Sequence, residues 1–128
     1  MKLRMVLLFC VIALGLTIAA CGGGAGGAQP AGDRKGDATK GKTKFDGTCV
    51  SCHGPDAKGL PGLGKDMTTS AFIKGQTDQQ LVDFVKKGRT ANDPANTTKV
   101  DMPAKGGNPA LTDSDLFDVI AYVRTLMK

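Results

Sequence analysis

The segment 49–53 constrains this chain more than any other, because it has the pattern Cys-X-X-Cys-His. Its histidine, His53, is the only one among the 128 residues, and its two thiols belong to Cys49 and Cys52. Thiols at this spacing can add across the two vinyl groups of one haem while the neighbouring imidazole reaches the iron. The motif therefore predicts one covalently bound haem c, attached through Cys49 and Cys52 and ligated by His53.

Three other uses of a Cys-X-X-Cys pair remain open. A structural zinc site needs four ligands, and the chain has no second histidine to help supply them. A thioredoxin-type redox pair is expected beside a strand, helix and strand pattern, which this sequence lacks. A plain disulfide is compatible with export but leaves the adjacent His53 unexplained. The haem hypothesis is favoured because it uses all three residues.

Residues 1–20 have the pattern of a bacterial export signal. Two basic residues precede a nearly unbroken apolar stretch at 5–20, which ends in small residues. The stretch also approaches the length that spans a bilayer, so a transmembrane anchor is the alternative. Residues 18–21, Ile-Ala-Ala-Cys, resemble the lipobox of bacterial lipoproteins, in which the signal is cut before the cysteine. This resemblance implies a lipoprotein signal peptide and makes Cys21 the lipidated first residue of the mature chain.

A Gly-rich stretch follows at 21–37. It has too few apolar side chains to pack and too much glycine to hold one shape, so we expect a flexible tether. Such a linker gives a typical reach of about 20 Å from a membrane surface. The remaining residues, 38–128, are enough for one small domain and too few for a multidomain enzyme.

The composition indicates that this domain needs a cofactor to fill its core. The chain has five Phe, one Tyr and no Trp, against 18 Gly, so large apolar side chains are scarce. A buried porphyrin would supply the missing bulk. The cysteine count agrees, because loss of Cys10 with the signal and lipidation of Cys21 leave only the pair that one haem consumes.

Three helices can be placed from the hydrophobic periodicity, and no alternation of polar and apolar residues is long enough to predict a sheet. The helix at 111–127 has the clearest pattern, and the helix at 77–87, like it, begins with a capping-box pattern. A third helix at 38–47 has weak intrinsic propensity. Two loops, 54–70 and 89–109, are rich in Gly, Pro, Asn and Asp, and loops that long in a small domain normally serve a site. The sequence therefore predicts an all-α domain.

The iron needs either a sixth ligand or an open position, and no second histidine is available. The methionines of the domain are Met67, Met102 and Met127. Met127 falls on the apolar face of the last predicted helix, where gap filling is its expected role. Met102 precedes Pro103 in a polar loop with no obvious core to fill, and it lies far enough from His53 for the chain to pass round the haem. Met102 is therefore the favoured sixth ligand, with Met67 as the alternative.

These features resemble the class I monohaem cytochromes c of bacteria over nearly all of 38–128. The residues that carry the resemblance occur in the family's order: Gly41, Phe45, Cys49, Cys52, His53, Pro61, Leu63, Met102, Pro103 and Tyr122. The resemblance implies a class I cytochrome c fold, with the first and last helices crossing, one covalently bound haem and long loops. It implies that Gly41 permits the close approach of the two helices, at which Phe45 and Tyr122 pack.

The same resemblance implies the ligands of the haem iron. His53 would be the proximal ligand and Met102 the distal ligand, and the carbonyl of Pro61 would accept a hydrogen bond from the other ring N–H of His53. The chain departs from the family's pattern in two respects. The loop 53–61 is short, and no Trp is present to donate a hydrogen bond to a haem propionate.

The resemblance implies a one-electron carrier, tethered to a membrane and not an enzyme. An enzyme or sensor with an open sixth position, and a domain of a larger electron-transfer complex, are the alternatives. Loss of the signal leaves 15 Lys and Arg against 12 Asp, a formal charge of +3. The lysines form either a solvated face or a docking surface for an acidic redox partner. A lipid-anchored monomer on the periplasmic or cell-surface side of a bacterial membrane is expected, which argues against nucleic acid as a partner.

Overall fold

The computed structural model describes residues 34–128. In this part the chain forms five α-helices: α1 (Ala38–Thr48), α2 (Val50–His53), α3 (Ala71–Lys74), α4 (Asp78–Lys87) and α5 (Asp113–Leu126). A 3₁₀ turn at Ala104–Gly107 and one isolated antiparallel bridge, between Arg89 and Met102, complete the regular structure of the described residues. The all-α prediction is confirmed. The predicted signal peptide, Cys21 and the tether as far as residue 33 lie outside the described residues.

The three predicted helices correspond to α1, α4 and α5, with ends that differ by one or two residues. The sequence did not predict α2, α3 or the 3₁₀ turn, each of which has four residues. Four residues are about one helical turn, so no periodic pattern can reveal them. Two of these short elements lie in the segments that carry the predicted haem residues.

Side-chain caps explain where the three longer helices begin. The carboxylate of Asp37 accepts hydrogen bonds from backbone N–H groups in the first turn of α1. A capping box pairs Thr77 with Gln80 at the start of α4, and a second pairs Thr112 with Asp115 at the start of α5. Each cap satisfies backbone donors that have no partner inside the helix, so it fixes the first turn.

Helices α1 and α5 approach so closely that only glycine fits at their contact. A Cβ on Gly41 would collide with the backbone carbonyl of Asp118. Beside this contact, Phe45 is fully buried and its ring packs edge to face against Tyr122, with ring centroids 5.4 Å apart. Tertiary contact therefore stabilises α1, whose own propensity is weak, in the way the resemblance implied.

The end of the predicted tether also contacts α5. The backbone N–H of Asp37 donates to Oδ1 of Asp118 at 2.7 Å. The guanidinium of Arg34 lies 5.8 Å from the centroid of the Phe117 ring. The described residues of 21–37 therefore pack on the domain, and the folded part extends at least to residue 34.

Helix α5 takes part in two apolar clusters. One joins it to α4 and consists of Leu81, Val82, Leu111, Leu116, Phe117 and Ile120. The other joins it to α1 and consists of Phe45, Ala57, Val119, Tyr122 and Val123. Because both clusters share α5, this helix positions the segments that surround the predicted site.

Candidate haem site

A mainly apolar cavity of about 230 Å³ lies between the long loops and helices α1, α4 and α5. Cys49, Cys52 and His53 line it, and so does Met102, although it is distant from them in the sequence. Two thiols, an imidazole and a thioether facing one apolar space are a donor set that fits a haem c. The fold therefore brings together the four residues that the sequence predicted for haem attachment and ligation.

The short helix α2 arranges the Cys-X-X-Cys-His motif. Cys49 is the residue between α1 and α2, and its carbonyl accepts hydrogen bonds from the backbone N–H groups of Cys52, at 3.2 Å, and of His53, at 3.0 Å. This single turn brings both thiols and the imidazole to the same cavity. Both cysteines are half-buried and free of disulfide. Burial, and secondly the charge of Cys52, raises the pKa of the Cys49 thiol to about 11.

The ring of His53 is oriented by the backbone of a neighbouring loop. Its Nδ1 lies 3.2 Å from the carbonyl oxygen of Lys65. A carbonyl only accepts, so we assign the ring hydrogen to Nδ1, which leaves the lone pair of Nε2 for a metal. Burial lowers the pKa of His53, and the hydrogen bond to Lys65 opposes this effect. The environment therefore favours the neutral imidazole, the form that binds iron.

The assignment of the Pro61 carbonyl as the acceptor for His53 is wrong. The loop after His53 folds back on the motif, with the N–H of Leu60 donating to the carbonyl of Cys52 at 3.0 Å. The chain then makes a turn in which the N–H of Leu63 donates to the carbonyl of Leu60, and Pro61 is exposed in that turn. The backbone returns to the motif only afterwards, so Lys65 and not Pro61 faces the imidazole.

The backbone of Met102 is fixed by an antiparallel bridge to the residue that follows α4. The N–H of Met102 donates to the carbonyl of Arg89, and the carbonyl of Met102 accepts the reciprocal hydrogen bond from the N–H of Arg89, both at 2.8 Å. Its side chain is half-buried and lines the cavity. Met102 therefore borders the same cavity as Cys49, Cys52 and His53, and its role as the distal ligand stays a prediction.

The other two methionines have different surroundings. Met67 also lines the cavity, but it packs against the apolar cluster that joins α1 to α5, and its N–H donates to the carbonyl of Ala57 at 2.8 Å. Met127 lies just beyond the end of α5 and is not among the residues that line the cavity. Of the two methionines that line the cavity, Met67 packs against an apolar cluster and Met102 packs against neither cluster.

Sequence reasoning missed a polar residue that organises the loop before Met102. Asn96 is buried, and its amide NH₂ donates to the carbonyls of Thr90, at 2.9 Å, and Val100, at 2.8 Å. Its Oδ1 accepts from the hydroxyl of Thr98 and the N–H of Lys99. These bonds close residues 90–100 into a compact loop along the cavity. An Asn in a polar loop carries no sequence signal that distinguishes such a role.

Comparison with known proteins identifies the family. Residues 38–127 match the cytochrome c family, a region that covers the cavity and its four candidate haem residues. The match spans most of the chain and agrees with the all-α fold of the described residues. The chain therefore belongs to the cytochrome c family.

The chain is similar to several bacterial cytochromes. It is 35% identical over 88 residues to cytochrome c-555 of Prosthecochloris aestuarii, an alignment that covers 68% of this chain and 85% of that protein. It is 34% identical over 89 residues to cytochrome c-555 of Chlorobaculum thiosulfatiphilum, covering 68% and 93%. It is also 31% identical over 99 residues to the CcoP subunit of a cbb3-type cytochrome c oxidase of Rhodobacter capsulatus, covering 77% of this chain and 31% of that subunit.

Membership of this family defines the cofactor and the class of activity. The family carries covalently bound haem c, and Cys49 and Cys52 fit the positions of its thioether attachment. The c-555 relatives are electron-carrying cytochromes, and this chain is likewise an electron carrier and not an enzyme. Within residues 34–128, no helix combines the length and apolar character needed to cross a bilayer.

Proposed function

We propose that this protein is a lipid-tethered carrier of single electrons in which His53 and Met102 are the axial ligands of the haem iron. The observation that carries the proposal is the convergence of both side chains on the cavity lined by Cys49 and Cys52. The Nδ1 of His53 is engaged by the Lys65 carbonyl, which leaves Nε2 as the nitrogen free to ligate. A haem bound here supplies a ferric and ferrous couple that takes one electron from a donor protein and passes it to an acceptor protein.

The side chains around this cavity have three tasks. Cys49 and Cys52 hold the cofactor through thioether bonds, which form when each S–H adds across a vinyl group. His53 and Met102 would both ligate the iron and leave no position open to external ligands, and Met/His ligation would raise the potential relative to other ligand sets. The apolar lining keeps water away, which preserves one coordination in both oxidation states and limits reorganisation when the charge changes.

The rim of the cavity is the expected place of electron exchange. Leu63, Phe72 and Val100 are each more than a third exposed and also line the cavity. An apolar rim around the haem edge lets a partner approach closely, and nearby lysines favour a partner with an acidic surface. The proposed partners are therefore acidic redox proteins, which exchange electrons with this chain as a monomer.

The membrane tether is proposed from the N-terminal sequence. The apolar stretch at 5–20 and the lipobox-like residues 18–21 support export and acylation of Cys21. More than one acyl chain gives stable anchoring, whereas a single chain gives only marginal binding. The proposed location is the periplasmic or cell-surface side of a bacterial membrane.

Visible spectroscopy of the purified holoprotein tests the ligands. We expect the pigment to stay with the protein in acid acetone, because thioether bonds do not exchange. We expect the oxidised protein to show the sulfur-to-iron charge-transfer band, and the reduced protein to bind carbon monoxide slowly. Absence of the band together with rapid carbon monoxide binding would show an open sixth position and overturn the proposed ligand set.

The lipid proposal has its own experiment. Cells expressing the full chain are labelled with a radioactive fatty acid, and the wild type is compared with Cys21→Ser and with Cys10→Ser as the matched control. We expect label in the wild type and in the control and none in Cys21→Ser. Incorporation of label into Cys21→Ser would contradict the lipidation of Cys21.

A further inference from the structure

Arg89 lines the cavity, but it has no role in the proposed attachment and ligation of the haem. It follows α4 by two residues, and its backbone pairs with Met102. Its guanidinium lies 4.7 Å from the ring centroid of Phe84 and 5.0 Å from that of Phe72. Its side chain lines the cavity and is only 18% exposed. The two rings therefore hold a permanent cation at the edge of an apolar space.

The described part of the chain leaves this cation without a complete set of acceptors. Nε of Arg89 is buried and finds no hydrogen-bond acceptor among residues 34–128. Oδ2 of Asp93 lies 3.5 Å away, which makes an ion pair without a hydrogen bond. A buried donor with no acceptor is costly, and native structures normally give such a group a partner. The missing partner is therefore expected to be a group that enters the cavity.

The chemistry of Arg89 identifies the kind of group. A guanidinium presents a planar fork of donors that matches a carboxylate and always carries its charge. A haem brings two propionate carboxylates into this cavity, and the chain has no Trp to donate to either of them. We infer that Arg89 binds a haem propionate, an inference that rests on the haem site proposed above.

The other charged side chains on the cavity wall do not replace Arg89. Asp66 and Asp101 are acidic and repel a propionate, and Asp101 accepts a hydrogen bond from the N–H of Ala91 at 2.5 Å. Lys65 also lines the cavity, but its Nζ donates to the carbonyl of Ala95 at 3.4 Å. Arg89 is thus the cation with a buried donor still to be satisfied.

Arg89 would then hold two parts of the site together. Its backbone fixes Met102 through the bridge, and its side chain holds the cofactor through a carboxylate. A cation beside the haem also disfavours the ferric state, which has one more positive charge than the ferrous state. Arg89 is therefore a positioning residue that raises the reduction potential.

Resonance Raman spectroscopy of the holoprotein tests this inference, because the bending bands of the propionates respond to hydrogen bonding. The wild type is compared with Arg89→Gln, with Arg89→Lys and with the matched control Lys87→Gln, which removes one positive charge two residues away. We expect shifted bands and a lower midpoint potential in Arg89→Gln. Arg89→Lys should shift the bands but retain most of the potential, and Lys87→Gln should change neither.

The outcomes separate this inference from the proposed ligands. Unshifted propionate bands in Arg89→Gln overturn it, even if the potential changes, because Arg89 then acts only through its charge. Should Arg89→Gln fail to mature with haem, Arg89→Lys decides in the same way. Failure of the ligand proposal would show instead in the wild type, as the absence of the charge-transfer band.

Discussion

The two sides of the haem cavity are held by contacts of different range. The histidine wall, residues 49–65, is held by bonds between atoms close in sequence, such as the one from His53 to the Lys65 carbonyl. The methionine wall, residues 88–108, contains loop 90–100 and the bridged Met102. It is tied to the end of α1 by a distant bond, in which Nδ2 of Asn108 donates to Oγ1 of Thr48 at 3.3 Å.

This difference predicts which side of the haem cavity unfolds locally at the lower free energy. The histidine wall continues directly from α1, and the packing of α1 against α5 therefore holds the start of this wall in place. The methionine wall depends on a closed loop and on contacts that the rest of the fold must bring together. Cys49, Val50 and Ala57 of the histidine wall belong to or pack against the apolar cluster that joins α1 to α5, whereas neither cluster includes a residue of 88–108. Segments with few buried apolar contacts open locally at low free energy. The methionine side should therefore open at lower free energy, with the thioether bonds and His53 still in place.

The largest expected effect comes from removing the sulfur of the methionine wall. Met102→Ala should abolish the sulfur-to-iron charge-transfer band of the oxidised protein, lower the reduction potential and open the iron to carbon monoxide. Haem content should stay normal, because the cysteines and His53 are untouched. Visible spectra, a redox titration and carbon monoxide binding measure these changes.

Met67→Leu is the control for this experiment, because Met67 lines the same cavity. Its packing against the cluster of Phe45 and Tyr122 explains its presence, and leucine can fill a similar volume. All three spectroscopic properties should remain close to those of the wild type. If Met67→Leu loses the band and Met102→Ala keeps it, the assignment of the two methionines must be exchanged.

A smaller effect, on the stability of the whole domain, is expected from a substitution in the histidine wall. A Cβ on Gly64 would collide with the carbonyl of Cys52 and lie 3.1 Å from Nδ1 of His53. Gly64→Ala should therefore lower the free energy of unfolding by about 2 kcal/mol, because the loop cannot close on the motif without displacement. Denaturant titration of the holoprotein measures the loss.

Gly47→Ala is the matched control, because a Cβ at Gly47 in α1 would meet no atom within 4 Å. Alanine is the better helix former, so this variant should gain up to about 1 kcal/mol. Equal stability of the two variants would contradict the close packing of loop and motif.

The sequence predicted the residues of the histidine wall more directly than those of the methionine wall. The histidine motif is contiguous, so its spacing alone indicates its chemistry. Met102 was reached by weighing three methionines and by resemblance, because the bridge that positions it has no local sequence pattern. The acceptor for His53 was assigned wrongly because the turn at Leu60 and Leu63 decides which carbonyl returns to the ring.

Other features had no counterpart in the sequence patterns. The three longer helices follow from periodicity and caps, whereas α2 and the 3₁₀ turn are too short for either signal. Asn96 and Arg89 resemble ordinary loop residues until the fold buries them beside the cavity. Their roles depend on tertiary contacts, which local composition does not encode.

A selective effect on the methionine wall is expected from Asn96→Ala. The substitution removes the four hydrogen bonds that close loop 90–100, including those that the carbonyls of Thr90 and Val100 accept. We expect the free energy needed to open this loop to fall by about 1 to 3 kcal/mol. The charge-transfer band should disappear at a lower denaturant concentration than the helical circular dichroism signal, because the loop opens before the helices unfold.

Asn92→Ala is the control, because Asn92 is exposed in the same loop. It should leave both transitions at their wild-type midpoints. Coincident loss of the band and of the helical signal in Asn96→Ala would show that the methionine wall does not open separately.

The smallest expected effect concerns the charge around the two walls. Lys40, Lys42 and Lys44 on α1 each lie within 3.7 Å of an Asp carboxylate, so much of their field is already balanced. Lys99 is exposed beside Val100 at the rim of the methionine wall.

Electron exchange with an acidic partner should therefore slow as salt rises, because the Debye length is only about 10 Å at 0.1 M. Stopped-flow rates should fall more for Lys99→Gln than for the control Lys40→Gln, and the salt dependence of Lys99→Gln should be weaker. A rate that is flat or rising with ionic strength would contradict a docking role for the lysines at the methionine wall and leave them as a solvated surface.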